Sequence, residues 1–219
     1  MGRACGSSAV VWLAMLLEAT AVCAMVMPGL CPTLKEKDEF DLHRFMGTWY
    51  EVLRTPFIIE YMVKCVRFHC LDKGEENSVG LKVLGERSPV AAVFTTGDRG
   101  DGLSIDGEIL TRDANSPYGI RLKGASFHYA SPMIVLDTDY DNYAVLWACE
   151  NNIISGIVRR ENIWVLSRSP TLNATMQNFI MDHLKKQTYS TYFLMPTEQK
   201  TCKGHPVREN AAAKGSNGE

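Results

Sequence analysis

Cysteine is the residue type in this 219-residue chain with the most chemistry to offer, and the sequence holds seven. A thiolate is a nucleophile and a metal ligand, and two thiols oxidise to a disulfide. Cys5 and Cys23 fall in an N-terminal stretch expected to be cleaved off, which leaves Cys31, Cys65, Cys70, Cys149 and Cys202. They are scattered, with no Cys-x-x-Cys pair and no histidine at finger spacing, so no metal site is expected. Widely separated cysteines suit an oxidising compartment, and an odd number predicts two disulfides and one thiol left over, with the connectivity open. Two other short patterns carry chemistry. Arg99-Gly100-Asp101 lies in a glycine-rich turn and could engage an integrin-type cell-surface receptor, although these are also ordinary turn residues and chance is favoured. Asn173-Ala174-Thr175 is a sequon for N-glycosylation.

Composition narrows the classes. Hydrophobic residues make up 46% and the formal net charge is −2, so the chain reads as globular and lacks the clustered positive charge that phosphate backbones require. No nucleic-acid partner is expected. Residues 1–24 read as a signal peptide: Arg3, an apolar run from Ala9 to Leu17, and small residues up to Ala24. The run is shorter than the ~20 apolar residues that span a bilayer, and no later segment is longer. The mature protein is expected to be secreted and extracellular, with residues 25–202 as one domain and 203–219 as a disordered polar tail.

The elements that position these residues read as strands. Val63–Leu71 alternates, with Val66, Phe68 and Cys70 on one face and Arg67 and His69 on the other. Further strands are predicted over Gly47–Thr55, Val79–Leu84, Ala91–Thr96, Leu103–Thr111, Tyr118–Tyr129, Met133–Tyr140, Tyr143–Cys149 and Asn162–Ser167, separated by turn residues. Thr171–Gln187 predicts one helix, capped by Thr171, and Tyr189–Met195 a last short strand. Regular short strands predict an all-β sandwich or closed barrel.

Three motifs in order give that plan a family. Gly47-Thr48-Trp49-Tyr50-Glu51 resembles the G-x-W start of the lipocalins, Thr138-Asp139-Tyr140 their second motif at a strand-to-strand turn, and Arg168 their third. Leu30-Cys31-Pro32, the stretch from Leu136 to Ala144 and the cysteine placement resemble the apolipoprotein D, Lazarillo-like and crustacyanin-like group within that family. The resemblance covers roughly residues 31–202. It implies an eight-stranded antiparallel up-and-down barrel with the C-terminal α-helix packed outside. It also implies Cys31–Cys149 and Cys65–Cys202 disulfides, and a bound lipid or pigment as ligand in place of a cofactor. Trp49 under the Arg168 guanidinium is then expected to plug one barrel end, with Gly47, Thr138, Asp139 and Tyr140 as the rest of the closing motif.

Side-chain parity supplies an expected lining. Leu53, Val66, Phe68, Cys70, Leu81, Val83, Ile105, Ile109, Ile120, Leu122, Trp164 and Leu166 should face inward; Glu51 shares that face between Trp49 and Leu53 and fits less well. Alternation alone does not separate a lined pocket from a filled core, and the resemblance favours the pocket. The expected function is carriage of a small hydrophobic ligand (fatty acid, sterol, retinoid, carotenoid or bilin), with a part in lipid metabolism or protection from oxidation, and no catalysis. One alternative is a thiol-dependent isomerase using Cys70, as in lipocalin-type prostaglandin D synthases. Cys70 is the cysteine that the implied pairing leaves free, and most such thiols are buried packing groups. The other alternative is an integrin-binding module through Arg99-Gly100-Asp101. Ligand identity and oligomeric state are not legible in the sequence.

Overall fold

Alternating apolar residues fold this chain into strands from Gly47 onward, and the computed structural model describes residues 26–34, 37, 40–55, 63–73, 78–88, 102–110, 118–123, 128–151, 157–186 and 191–203. The expected leader, the strand expected over 91–96, the Arg99-Gly100-Asp101 turn and the tail beyond 203 lie outside the described residues.

In chain order the elements are β1 (Val26–Pro28), α1 (Leu42–Phe45), β2 (Gly47–Arg54), β3 (Val63–Asp72), β4 (Ser78–Arg87), β5 (Gly102–Leu110), β6 (Gly119–Lys123), β7 (His128–Thr138), β8 (Tyr143–Asn151), β9 (Val158–Ser167), α2 (Ala174–Lys186), a 3-10 turn (Thr191–Phe193) and β10 (Met195–Pro196). Strands β2 to β9 pair antiparallel with their sequence neighbours, and β9 returns to pair with β2, closing an eight-stranded barrel. Closure satisfies the backbone of both outermost strands, which would otherwise be exposed edges. β1 extends the sheet along β9, and β10 along β2.

Two apolar clusters follow from the pleat. One fills the barrel interior, and the other lies between the outer faces of β2, β7, β8 and β9 and helix α2. In the second, Ile180 and Leu184, one helical turn apart, pack with Leu53, Tyr143, Val145, Trp147, Ile163 and Val165. The helix starts at Ala174, later than the expected Thr171, because Asn173 supplies the cap: its Oδ1 accepts the Met176 N–H at 2.8 Å. His183, Lys185 and Lys186 complement the dipole in its last turn.

Two expected strands also change. The stretch read as one strand over 118–129 is two, because the chain reverses between Lys123 and His128, which pair with each other across β6 and β7. The last strand shrinks to Met195–Pro196 after the 3-10 turn, since Pro196 has no N–H to extend a ladder.

Cys31 is bridged to Cys149 and Cys65 to Cys202, the pairing the resemblance implied. The second bridge fastens a wall repair. β2 and β3 pair only from Gly47 to Tyr50, and beyond that the segment after α2 enters between them. Thr197 N–H donates to Val52 O, Cys65 N–H to Glu198 O, and Gln199 Nε2 to both Glu51 O and Val66 O. Cys65, at φ 57°, sits within the β3 irregularity between Lys64 and Arg67 that makes room for this segment.

Candidate functional site

A barrel holds a ligand only if one end is shut, and the shut end is built around Trp49. The Trp49 ring is fully buried, its Nε1 donates to Phe45 O at 2.8 Å, and the Arg168 guanidinium lies 3.6 Å from its ring centroid. Arg168 also donates through Nε to Tyr140 O (2.9 Å), through one terminal nitrogen to Thr48 O (3.1 Å) and through the other to Arg44 O (3.0 Å). One planar cation thus ties the start of β2, the β7–β8 turn and α1 together, a role that suits the five-donor fork of arginine. Gly47 adopts φ +94°, where a side chain is strained, and a Cβ there would stand 3.4 Å from the Arg168 guanidinium.

The turn after β7 is self-bonded. Thr138 Oγ1 donates to Tyr143 O and accepts from Tyr140 N–H, while Asp139 Oδ1 accepts the N–H groups of Asp141, Asn142 and Tyr143. Burial works to raise the Asp139 carboxyl, but the Tyr143 N–H, the Asn142 side chain and the N–H groups of Asn142 and Asp141 prevail and hold it below the usual carboxylate value. Tyr140, at φ 69°, then swings its ring beneath the barrel, where its hydroxyl accepts the Asp41 N–H at 2.8 Å. Phe40, Phe45 and Tyr140 complete an aromatic floor with Trp49. Sequence reasoning missed Phe40, Phe45 and α1. A four-residue helix is too short to show a period, although Asp41, whose carboxylate caps His43 and Arg44 N–H, was a local signal.

Above this floor the interior has two unlike sides. Val66, Phe68, Cys70, Leu81, Val83, Ile105, Ile109 and Ile120, from β3 to β6, are all buried in the inner cluster, with Leu122 packed against it. Trp164 and Leu166 face them from β9. Leu53 is the exception to the expected lining. The β2–β9 register shifts between Glu51 and Leu53, so Glu51 opposes Leu166 while Leu53 opposes Val165, whose side chain points outward. Leu53 therefore packs under α2 and lines an outer groove of about 480 Å³, not the barrel interior.

The same bulge turns Arg54 inward, opposite Trp164. Arg54 donates to Glu51 Oε1 at 2.6 Å and to Val63 O at 3.1 Å, and Glu51 Oε1 also accepts the Thr197 hydroxyl at 2.7 Å. Glu51 is 1% and Arg54 4% exposed, so this is an ion pair inside the barrel wall. Burial pushes the Glu51 carboxyl up, against the pull of Arg54 and of the Thr197 hydrogen bond. Nearer the open end, register places Asn162 opposite the buried Ala148 and Arg160 opposite Glu150, and Arg160 and Glu150 are also ion-paired. Register also turns Arg87, the last residue of β4, inward opposite Val63 of the inner cluster.

Cys70, opposite Gly47 in the register, is free and buried. Burial pushes its thiol up to about 12, despite the nearby Arg168 cation. The described residues contain no group of three or more His, Cys, Asp or Glu side chains that could hold a metal ion.

Comparison with known proteins now bears on this geometry. The model of the lipocalin / cytosolic fatty-acid binding protein family matches residues 105–201, a span that includes the Asp139 turn, Arg168 and α2. Apolipoprotein D of Bos taurus is 26% identical over 80% of this chain and 85% of its own length, and that of Cavia porcellus 28% over the same shares. Over these spans the chain is similar to the lipocalins. Among solved structures, the chain shares its fold with lobster apocrustacyanin A1 (TM-score 0.64, 21% identity, 80% of this chain and 91% of that one) and with insecticyanin from Manduca sexta (TM-score 0.61, 21% identity, 80% and 89%). The residues of the three motifs that resemble those of lipocalins, Gly47, Trp49, Thr138, Asp139, Tyr140 and Arg168, meet at one end of the barrel.

Proposed function

We propose that this protein is a lipocalin, an exported carrier that holds one small hydrophobic molecule inside its barrel and does no chemistry on it. The observation that carries this reading is the apolar wall from Val66 to Ile120 standing above a floor sealed by Trp49 and Arg168. Burial of apolar ligand surface against such a wall is favourable at roughly 25 cal/mol per Å². Relatives named apolipoprotein D and a family named for fatty-acid binding support the same class of cargo. Export is supported by the leader-like residues 1–24 and by two disulfides joining distant parts of the chain. A thiol held near 12 is a poor nucleophile at neutral pH, so Cys70 supports carriage over isomerisation. Asn173 is exposed, and we include its glycosylation in the proposal.

Trp164 sits within the inner cluster and reports on occupancy. Titration with all-trans-retinol should quench tryptophan emission to a one-to-one end point, and native mass spectrometry should show the same stoichiometry. Folded protein that binds none of a panel of retinol, cholesterol, palmitate and a carotenoid overturns the reading.

A further inference from the structure

The inner face of β4 changes character only at its last residue. Leu81 pairs with Cys70, which stands opposite Gly47 at the floor, and the strand climbs from there toward the open end. Leu81 and Val83 belong to the inner cluster, Gly85 follows on the same face, and Arg87 ends the stripe. The β4–β5 register runs unbroken from Ser78 to Glu86, so no bulge upsets that parity. A second observation agrees: a Cβ on Gly85 would stand 3.3 Å from Val63 Cγ1, and Val63 is both an inner-cluster residue and the register partner of Arg87.

The carboxylates nearest to this position are engaged elsewhere. Glu86 is turned to the other face, where it pairs with Lys64 and accepts the Lys203 N–H at 2.7 Å. Glu51 accepts from Arg54 and Thr197, and Glu150 pairs with Arg160. Among the described residues no carboxylate pairs with Arg87. Arg87 is half-buried, so its stem can cover apolar wall while its guanidinium keeps part of its water. A cargo carboxylate at the same height also keeps part of its water, and a guanidinium fork can hold both its oxygens.

We propose that Arg87 is a rim anchor for the carboxylate of an amphiphilic cargo, whose apolar body lies below it against Phe68, Leu81 and Val83. The proposal rests on the carrier reading and adds the cargo's chemical class and its orientation, head toward the open end. Arg87 is thereby a specificity-determining residue.

All-trans-retinoic acid and all-trans-retinol share a polyene and differ in one end group, so the pair isolates the anchor. Tryptophan quenching at neutral pH and low salt should show that Arg87→Gln weakens retinoic acid binding about fivefold to tenfold and leaves retinol within about twofold. Arg87→Lys should retain part of the acid's affinity, because it keeps the charge and loses the fork. Raising the salt should weaken acid binding to the native protein and not to Arg87→Gln, a signature that a packing role would not give. The native protein supplies the salt dependence even if circular dichroism shows a variant unfolded. Unchanged acid affinity in folded Arg87→Gln overturns the proposal, and so does an equal loss for both compounds. Retinol binding without any retinoic acid binding also overturns it and leaves the carrier reading standing. If neither compound binds the folded native protein, the carrier reading itself fails.

Discussion

The guanidinium of Arg168 lies 3.6 Å from the Trp49 ring centroid while its nitrogens donate to the carbonyls of Tyr140, Thr48 and Arg44. A stacking contact and a three-way clamp are the same side chain. Residues far apart in sequence meet here because only a planar, delocalised cation satisfies three carbonyls and one ring at once.

Arg168→Lys should therefore destabilise the fold by about 2 kcal/mol, since an ammonium cannot reach all three carbonyls and stacks less well. Thermal unfolding followed by circular dichroism should show a drop of several degrees, with a change in Trp49 emission. An unaltered melting temperature would mean the clamp contributes nothing.

The Asp139 turn gives a pH dependence of known sign. Its carboxyl is held below the ordinary 3.8 in the folded protein, so the folded state favours the ionised form. That stability is present above the unfolded value and is lost as pH falls through the lower folded value. Asp139→Asn should be less stable than the native protein at pH 7, with the difference shrinking below about pH 4. Unfolding midpoints measured from pH 2 to 7 for both proteins check this, and parallel curves refute it.

Cys70 should be silent in the native state. Ellman's reagent at pH 8 should label no thiol in the folded protein, and one per chain after unfolding in denaturant without reductant. Rapid labelling of folded protein would return Cys70 to the list of reactive groups.

Leu53 and Phe68 should separate stability from binding. Leu53→Ala removes a side chain buried under α2 and should cost about 2–4 kcal/mol while leaving retinol affinity unchanged. Phe68→Ala, on the inner wall, should change both. Denaturant melts and quenching titrations on each variant test the division, and a Leu53→Ala effect on affinity at full folding would contradict the outward placement.

Sequence reasoning served wherever alternation ran unbroken. Val66, Phe68 and Cys70, or Ile105 and Ile109, occupy the face their parity assigned. It failed at the bulge after Glu51, because one extra residue flips every later side chain and leaves no mark in composition. Leu53 was misplaced for that reason, and the inward turn of Arg54 went unseen. The ion pair was invisible for a second reason: its third member, Thr197, comes from the far end of the domain. The closing motif was legible as residue types, but its geometry depends on Phe45 and Phe40, which no periodic pattern announces.

The segment around Thr197 and Gln199 has a consequence for how the molecule is made. It fills the seam between β2 and β3, and its bridge joins cysteines 137 residues apart. Chains emerge from the ribosome N-terminus first, at roughly 5–20 residues per second. The first strand of the barrel must therefore wait for nearly the last before its outer hydrogen bonds are met. Until then Glu51 and Arg54 stand at the margin of an unfilled seam. Arrival of that late segment, more than any step local to the early strands, makes the vessel watertight.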